Sequence, residues 1–488
     1  MSETLPVLIV GAGPTGLTLA CELARHGRDC LVVDKSPRLF IGSRAKGLQP
    51  RTLEVFDDLG VLEAVLAAGA PFPPFRLYSG TELQWERSLE EMLRLPVPVA
   101  SPNVPYPRAW LIPQWRTDRI LHDRFIQLGG RVELGTELTE FEQDSDGVTA
   151  TLVRDGTSRR VRARYLVGAD GGRSRVRKAS GVGFEGESLE SERTLIGDVR
   201  VKGLEGVACH ILTRAGDVTL RFSLWNLPAS DYFQFVATVA SDDVPELSLE
   251  SVRRLLEARS GRTDIQLEDL RWCSLYRVNV RMVDRFRLGR VLLAGDAAHV
   301  HSSAGGQGLN TGVQDAYNLG WKLAAVLGGA PVELLDTYEE ERLPVAARVL
   351  GLSTTLHQSH FRAPSGSPPA LHQLDISYRG GSLALEDRAS PGALQAGDRA
   401  PDALLPEGKR LFEVFRGPHF TLLAFGCEPP TLDAQRVRIQ RVASLEGYDV
   451  SEGCFVLVRP DGYIGAITSS AESLRQYLRR TALPGAAG

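Results

Sequence analysis

Residues 5–34 read LPVLIVGAGPTGLTLACELARHGRDCLVVD, and the fold follows from this stretch. A buried-strand run, Val7 to Val10, leads into Gly11, Gly13 and Gly16 at G-x-G-x-x-G spacing, with Pro14 and Thr15 between the last two. A helix pattern follows, and a second strand, Leu31 to Val33, ends in Asp34. The glycines permit a tight turn, approach of bare backbone to a pyrophosphate, and close packing of helix on strand. The helix N-terminus offers free amides to the phosphates, and Asp34 is placed to accept hydrogen bonds from ribose hydroxyls. A lone glycine triplet is a weak signal, whereas strand, helix, second strand and acid in register indicate a bound dinucleotide. At this point NAD and FAD are equally compatible with the motif.

Two later stretches repeat the design. In RYLVGADGGRSRVR, residues 164–177, a strand from Tyr165 to Val167 runs into a GADGG turn with Asp170 at its tip. In RVLLAGDAAHVHSSAGGQGLN, residues 290–310, a strand from Arg290 to Ala294 ends at Gly295 and Asp296. Glycine and aspartate are ordinary turn residues. Beside the first fingerprint, however, two strands ending in them suit two acids aimed at sugar hydroxyls along one extended cofactor. No second fingerprint occurs, so one dinucleotide is bound tightly and any second nucleotide visits.

With 488 residues the chain is long enough for roughly three domains. A formal net charge of -4 and the lack of a Lys/Arg cluster exclude a basic field for nucleic acid. The start, MSETLPVLIVGAG, has no basic n-region or small-residue cleavage site, and no apolar run reaches a membrane span, so a cytoplasmic location is expected. Six cysteines, at positions 21, 30, 209, 273, 427 and 454, lack C-x-x-C or metal-ligand spacing. They are expected to be reduced core residues, with no metal site.

Between 185 and 285 the pattern changes to strands. In VTLRFSLW, residues 218–225, Val218, Leu220, Phe222 and Leu224 fall on one face, and Thr219, Arg221, Ser223 and Trp225 on the other; YFQFVATV, 232–239, alternates likewise. One apolar face and one mixed face suit the floor of a pocket for a large aromatic ligand, and suit equally a sheet whose second face meets solvent. Arg221, Trp225, Tyr232 and Gln234 are the candidates for the ligand-facing side. Helices are expected from Asn310 to Leu327 and from Val332 to His360, the second with Glu339, Glu340, Glu341 and Arg342 on a solvated face. The Gly-, Pro- and Ser-rich residues 363–399 are expected to be a linker.

Four stretches in order, GAGPTG (11–16), SRAKGLQPRTLE (43–54), GADGGRSRVRK (168–178) and AGDAAHVHSSAGGQGLNTGVQDAYNLGWKLAAVL (294–327), together resemble the single-component FAD-dependent aromatic hydroxylases of the para-hydroxybenzoate hydroxylase fold. The likeness is strongest to the branch that oxidises polyketide phenols and quinones. It extends over nearly the whole chain, because GDRAPDALLPEGKRLFEVF (397–415) and FVLVRPDGYIGAI (455–467) are similar to the thioredoxin-like domain which that branch appends.

The resemblance implies an α/β fold with three parts. A Rossmann-like FAD-binding domain spans 1–184 and 286–362, with a substrate-side insert near 72–110. A substrate-binding β-sheet domain is inserted at 185–285, and a thioredoxin-like domain without C-x-x-C occupies 400–488. It implies tightly bound FAD, transient NADPH or NADH, O2 as co-substrate, and hydroxylation of a phenolic or quinonoid polyketide-type ring through a flavin C4a-hydroperoxide. The same flavin chemistry serves Baeyer-Villiger insertion and epoxidation. Flavin halogenation, suggested only by the fragment WLIP at 110–113, and a non-catalytic FAD-fold binding module are more distant readings. Monomer and homodimer are both compatible with the chain.

By the same resemblance Gly11, Gly13, Pro14, Thr15 and Gly16 hold the pyrophosphate, and Asp34 and Lys35 meet the adenosine. Arg44 reaches the phosphates or the flavin edge, Gln114 the ribityl chain, and the Leu138 backbone the adenine. Asp170 serves both FAD and the visiting nicotinamide. Gly295 and Asp296 meet the ribityl hydroxyls. Gly305, Gly306 and Gly308 bring bare backbone to the isoalloxazine, with Leu309 and Asn310 opening a helix whose amides face N1 and O2. No catalytic base stands out; His299 and His301 are expected to be structural. Ser303 stands where the family usually carries proline, adding a backbone donor beside the flavin.

Overall fold

The computed structural model describes residues 4–240, 245–302, 304–358, 371–434 and 436–481. Leu5–Val10 lies at the centre of the first sheet, parallel to Cys30–Asp34 on one side and to Thr157–Gly168 on the other. Arg131–Leu134 extends the sheet beyond Cys30–Asp34, and Val291–Leu293 extends it beyond Thr157–Gly168, both in parallel. Val7, Leu8 and Ile9 are fully buried, which explains why the strand reads as an unbroken apolar run rather than an alternating one. Pro14–Arg25 packs between Gly308–Leu327 and Gln114–Gln127.

A second sheet of eight strands contains Glu185–Lys202, Cys209–Arg214, Asp217–Asn226, Tyr232–Ala240 and Gln266–Met282. Its apolar face buries Leu195, Leu212, Phe222, Leu224 and Phe235 against Val252 and Leu256 of the helix Leu249–Ser260. The expected alternation therefore holds for Phe222 and Leu224 but not for Leu220, which is exposed. The side chains of Val218 and Thr219 lie outside the described residues. Two strands of the insert, Phe75–Ser79 and Glu82–Arg87, join this sheet through parallel pairing of the first with Cys209–Arg214. The short strand His299–Val300 closes the opposite edge.

The C-terminal unit is a five-stranded mixed sheet with Phe420–Phe425 between Val437–Val442 and Phe455–Val458, and with Ala471–Thr481 as its long helix. Its edge strand, Leu385–Glu386, comes from the segment expected to be a linker. Residues 363–370 of that segment lie outside the described residues; beyond them Leu371, Ile376, Tyr378 and Leu383 are buried, so apolar side chains tie it to the body of the protein. The second long helix runs from Asp336 to Gln358 after a short 3-10 turn, Val332–Leu335. Glu341 and Arg342 are buried on it, contrary to the solvated face expected, because each meets buried groups of opposite charge. All six cysteines are free thiols.

Candidate functional site

Parallel neighbours put their carboxyl ends on one edge, and this edge collects the motifs. Val10, Gly168 and Leu293 are in register on adjacent strands, so GAGPTG, the GADGG turn and the GDAA strap emerge side by side although far apart in sequence. Gly11 has φ +112°, and a Cβ there would stand 2.3 Å from the Ala169 carbonyl oxygen. A Cβ on Gly16 would stand 2.0 Å from the Gly11 oxygen. Gly13 is different: nothing lies within 4 Å of the place its Cβ would take. The helix that starts at Pro14 has no side-chain cap. Open space over bare backbone at an uncapped helix N-terminus fits an anionic diphosphate. Asp34 borders this cradle, its two oxygens accepting the amides of Ala12 and Ser36 at 2.8 Å each.

The strap at 295–310 is fixed from below. Gly295, at φ +59°, and Gly312 would each drive a Cβ to within 2.5 Å of Thr15 Oγ1, so Thr15 is wedged between strap and helix. Asp315 of the helix Gly308–Leu327 accepts the Gly295 amide at 3.1 Å, His299 Nε2 at 2.7 Å and Arg342 Nε at 2.8 Å. His299 is thus a structural group, stacked on Phe286 as well. Asp296 turns outward and is exposed, whereas Ala297 and Ala298 are buried. His301 Nδ1 is 2.8 Å from the Ser302 carbonyl, and burial lowers its pKa, which keeps the ring neutral. Asn310 binds the strap to the 43–54 loop: its Oδ1 accepts the Gln49 amide, and its Nδ2 donates to the Gly47 and Gly306 carbonyls. Ser303 lies outside the described residues.

Other expected residues have internal partners. Asp170 accepts from Ser174 Oγ and from the amides of Arg175 and Val176, and so starts the helix Arg175–Ala179. Buried Arg177 joins the two aspartate turns, donating to the carbonyls of Ala297 and Gly172. Gln114 Oε1 accepts the Ala45 amide at 3.1 Å, which ties the helix Gln114–Gln127 to the 43–54 loop. Leu138 has a buried side chain in the strand Thr136–Gln143, and Lys35 is exposed beside Asp34. The Arg44 guanidinium lies 5.4 Å from the Phe40 ring centre and 6.0 Å from that of Trp272.

The mixed face of the second sheet carries a row that register defines. Trp272, Asp198, Gln234, Trp225, Cys209 and Phe75 are directly opposite one another on successive strands and therefore share one face. The 43–54 loop lies on this row. Gln234 Nε2 donates to the Ser43 carbonyl, Lys46 Nζ donates to Gln234 Oε1, and the ammonium stands 4.3 Å from the Trp225 ring centre. Trp225 also meets Phe72 and Phe75 edge to face. Burial pushes the Asp198 carboxyl up to about 7 and the Lys46 ammonium down to about 8. The structure thus brings Gln234 and Trp225 together. Tyr232 lies at the rim with its hydroxyl on Asp269, 2.6 Å away, and Arg221 is exposed. Lys46, Asp198 and Trp272 escaped the sequence reading, since only strand register places 198 and 272 beside 234.

Comparison with known proteins agrees with this geometry. The family model described as FAD binding domain matches residues 4–353. A flavin-dependent monooxygenase of Mycobacteroides abscessus is 62% identical over 476 residues, covering 98% of this chain and 100% of the relative. A 12-dehydrotetracycline 5-monooxygenase/anhydrotetracycline 6-monooxygenase of Streptomyces rimosus subsp. rimosus is 37% identical, with 94% of each chain covered. Among solved structures, a ternary complex of aklavinone-11 hydroxylase with FAD and aklavinone superimposes with a TM-score of 0.83 at 29% identity, covering 99% of each chain. The anhydrotetracycline hydroxylase from Streptomyces rimosus gives 0.79 at 33% identity, covering 99% of this chain and 100% of that one. The chain belongs to the FAD binding domain family and is an FAD-dependent monooxygenase.

Proposed function

We propose that this monooxygenase hydroxylates a planar phenolic or quinonoid substrate of polyketide type, held between the 43–54 loop and the mixed face of the second sheet. The observation that carries this reading is the row from Trp272 to Phe75: aromatic side chains to contact a flat ring system, with buried polar groups among them to fix its orientation. The relatives named for tetracyclines and aklavinone support the same substrate class.

FAD, when bound, accepts hydride from NADPH or NADH and activates O2. The chain's own contribution is placement. Gly13, Pro14, Thr15 and Gly16 hold the pyrophosphate, Asp34 and Lys35 the adenosine, and Asp296 the ribityl chain. The amides around Gly306, Gly308, Leu309 and Asn310 present donors and a positive helix end to the ring edge that gains charge. Arg44, Gln114, Leu138 and Asp170 complete the surround, Gln114 by fixing the 43–54 loop and Asp170 by fixing its own turn. The C-terminal unit, a redox-inactive thioredoxin-like domain in this reading, buttresses the long helices.

The test is direct. Purified protein should be yellow, and NADPH or NADH with a polycyclic phenol should bleach it and yield a product carrying one oxygen atom from labelled O2 on a ring carbon. Label recovered in a lactone would replace hydroxylation by Baeyer-Villiger insertion. Phenol-stimulated oxidation of NAD(P)H that forms only peroxide would remove the phenol from the substrate class.

A further inference from the structure

One member of the sheet row, Asp198, and Lys46 of the loop laid on it have no part in the contacts proposed for the cofactor. Asp198 is fully buried, and among the described residues neither carboxylate oxygen has a partner at full hydrogen-bond geometry, although the Ser43 hydroxyl and amide lie close enough to favour its charged form. Lys46 has three N–H donors; one goes to Gln234, and among the described residues the others have no acceptor. Each group lacks what the other type supplies, and a buried donor or acceptor without a partner costs stability. Register fixes their relation: Asp198 is directly opposite Gln234, whose side chain receives Lys46. A ligand presenting a hydroxyl proton to one and an oxygen to the other would satisfy both.

We propose that Asp198 and Lys46 form the site for an ionisable ring hydroxyl of the substrate, Asp198 taking its proton and Lys46 holding the oxyanion that results. The O–H bond breaks and its electron pair stays on the ring oxygen. The proton bonds to an Asp198 carboxylate oxygen, and Lys46 remains an ammonium throughout. Charge on the ring oxygen enriches the ring in electrons, which favours attack on an electrophilic oxygen. The assignment rests on the phenolic reading above and names the groups that would recognise that substrate.

The surroundings suit the task. Burial raises the Asp198 carboxyl to about 7 against the opposing pull of the Ser43 hydroxyl and amide and the fields of Arg271, from Gln266–Met282, and Lys46. Burial lowers Lys46 to about 8 against the fields of Cys209, from Cys209–Arg214, and Asp198. A base that titrates near neutrality can accept a phenolic proton and return it. The Trp225 face beneath the ammonium favours its charged form.

The probe is alizarin, a planar polycyclic phenol whose ionisation changes its visible absorption. FAD-loaded wild type, Lys46→Met, Lys46→Arg and Asp198→Asn are titrated with it without NAD(P)H, from about pH 5 to about pH 9. Bound to wild type, alizarin should ionise at least about tenfold more readily than when free, a shift of about one pKa unit. Lys46→Met should return it to the free value, Lys46→Arg should restore most of the shift, and Asp198→Asn should remove the titration near 7 from the affinity profile. FAD content equal to wild type in the variants confirms the fold. Alizarin that binds with unshifted ionisation, or a shift that survives Lys46→Met, overturns the pair and leaves the phenolic reading standing. A wild type that binds no alizarin overturns both.

Discussion

Arg342 donates its Nε to Asp315 across 2.8 Å, and both side chains are sealed from solvent beneath the strap that carries Gly295. Burial opposes ionisation of Asp315, yet Arg342 and His299 hold its carboxyl below the ordinary range. Removing Arg342 would leave a buried carboxylate whose other contacts are the Gly295 amide and His299. Arg342→Met should cost about 3 to 5 kcal/mol in urea unfolding, the range for breaking a buried pair on one side. FAD affinity, read from flavin fluorescence, should fall as well, since the strap loses its anchor.

The C-terminal unit is joined to the cofactor domain by charge. Arg459 reaches Glu341 at 2.6 Å and Asp461 at 2.5 Å, and Lys322 reaches Glu341 at 2.7 Å, all of them buried. Burial works against ionisation of Glu341, but Arg459 and Lys322 bring its pKa down from 4.5 to about 2. A depressed acid contributes stability that is complete above 4.5 and lost as pH falls toward 2. Glu341→Gln should therefore lower Tm at neutral pH, and its Tm should fall less steeply than that of wild type on acidification below 4.5. Equal slopes would mean that the network does not control this ionisation.

Two glycines of one motif should fail differently. A methyl on Gly16 collides with the Gly11 oxygen at 2.0 Å, whereas a methyl on Gly13 enters open space. Gly16→Ala should unfold at lower temperature with or without FAD. Gly13→Ala should fold with the Tm of the wild-type apoprotein and bind FAD at least about tenfold more weakly, a loss of about 1.4 kcal/mol in calorimetry.

Asp198 should leave its mark on stability even without ligand. Its carboxyl titrates near 7 when folded and near 3.8 when exposed, so between those values the native state holds more protons than the unfolded chain. Stability then falls as pH rises through that window, by an amount on the order of 2 to 4 kcal/mol. Asp198→Asn, which carries no such charge, should gain on wild type in denaturant midpoints as pH climbs from 3.8 to 7, and a constant difference would contradict the burial argument.

The sheet edge that carries the glycine and aspartate turns was legible in the sequence because its determinants are local. Gly11 and Gly16 announce a turn that only bare backbone can make, Gly13 adds open space above it, Val7 to Val10 announce a strand buried on both faces, and the other two aspartate turns follow strands of the same kind. Periodicity likewise predicted that Phe222 and Leu224 would face the core while Trp225 turned the other way. The charged run at 339–342 misled because charge density in one helix says nothing about partners elsewhere; Glu341 finds Arg459 more than a hundred residues downstream. Leu371 to Leu385 was misread for a related reason, its few apolar residues being scattered among loop formers but used as packing contacts.

The sequence by itself determined the glycine turn, the mixed α/β character and the family, since each depends on residue type at short and fixed spacing. Only the tertiary structure decided what lies opposite what. Asp198 and Gln234 share a face because two antiparallel strands pair in one register, and Lys46 meets them because a loop from another domain is laid across that face. A register shift of one residue would turn the whole row into the core, and no local pattern in the chain records which register the strands adopt.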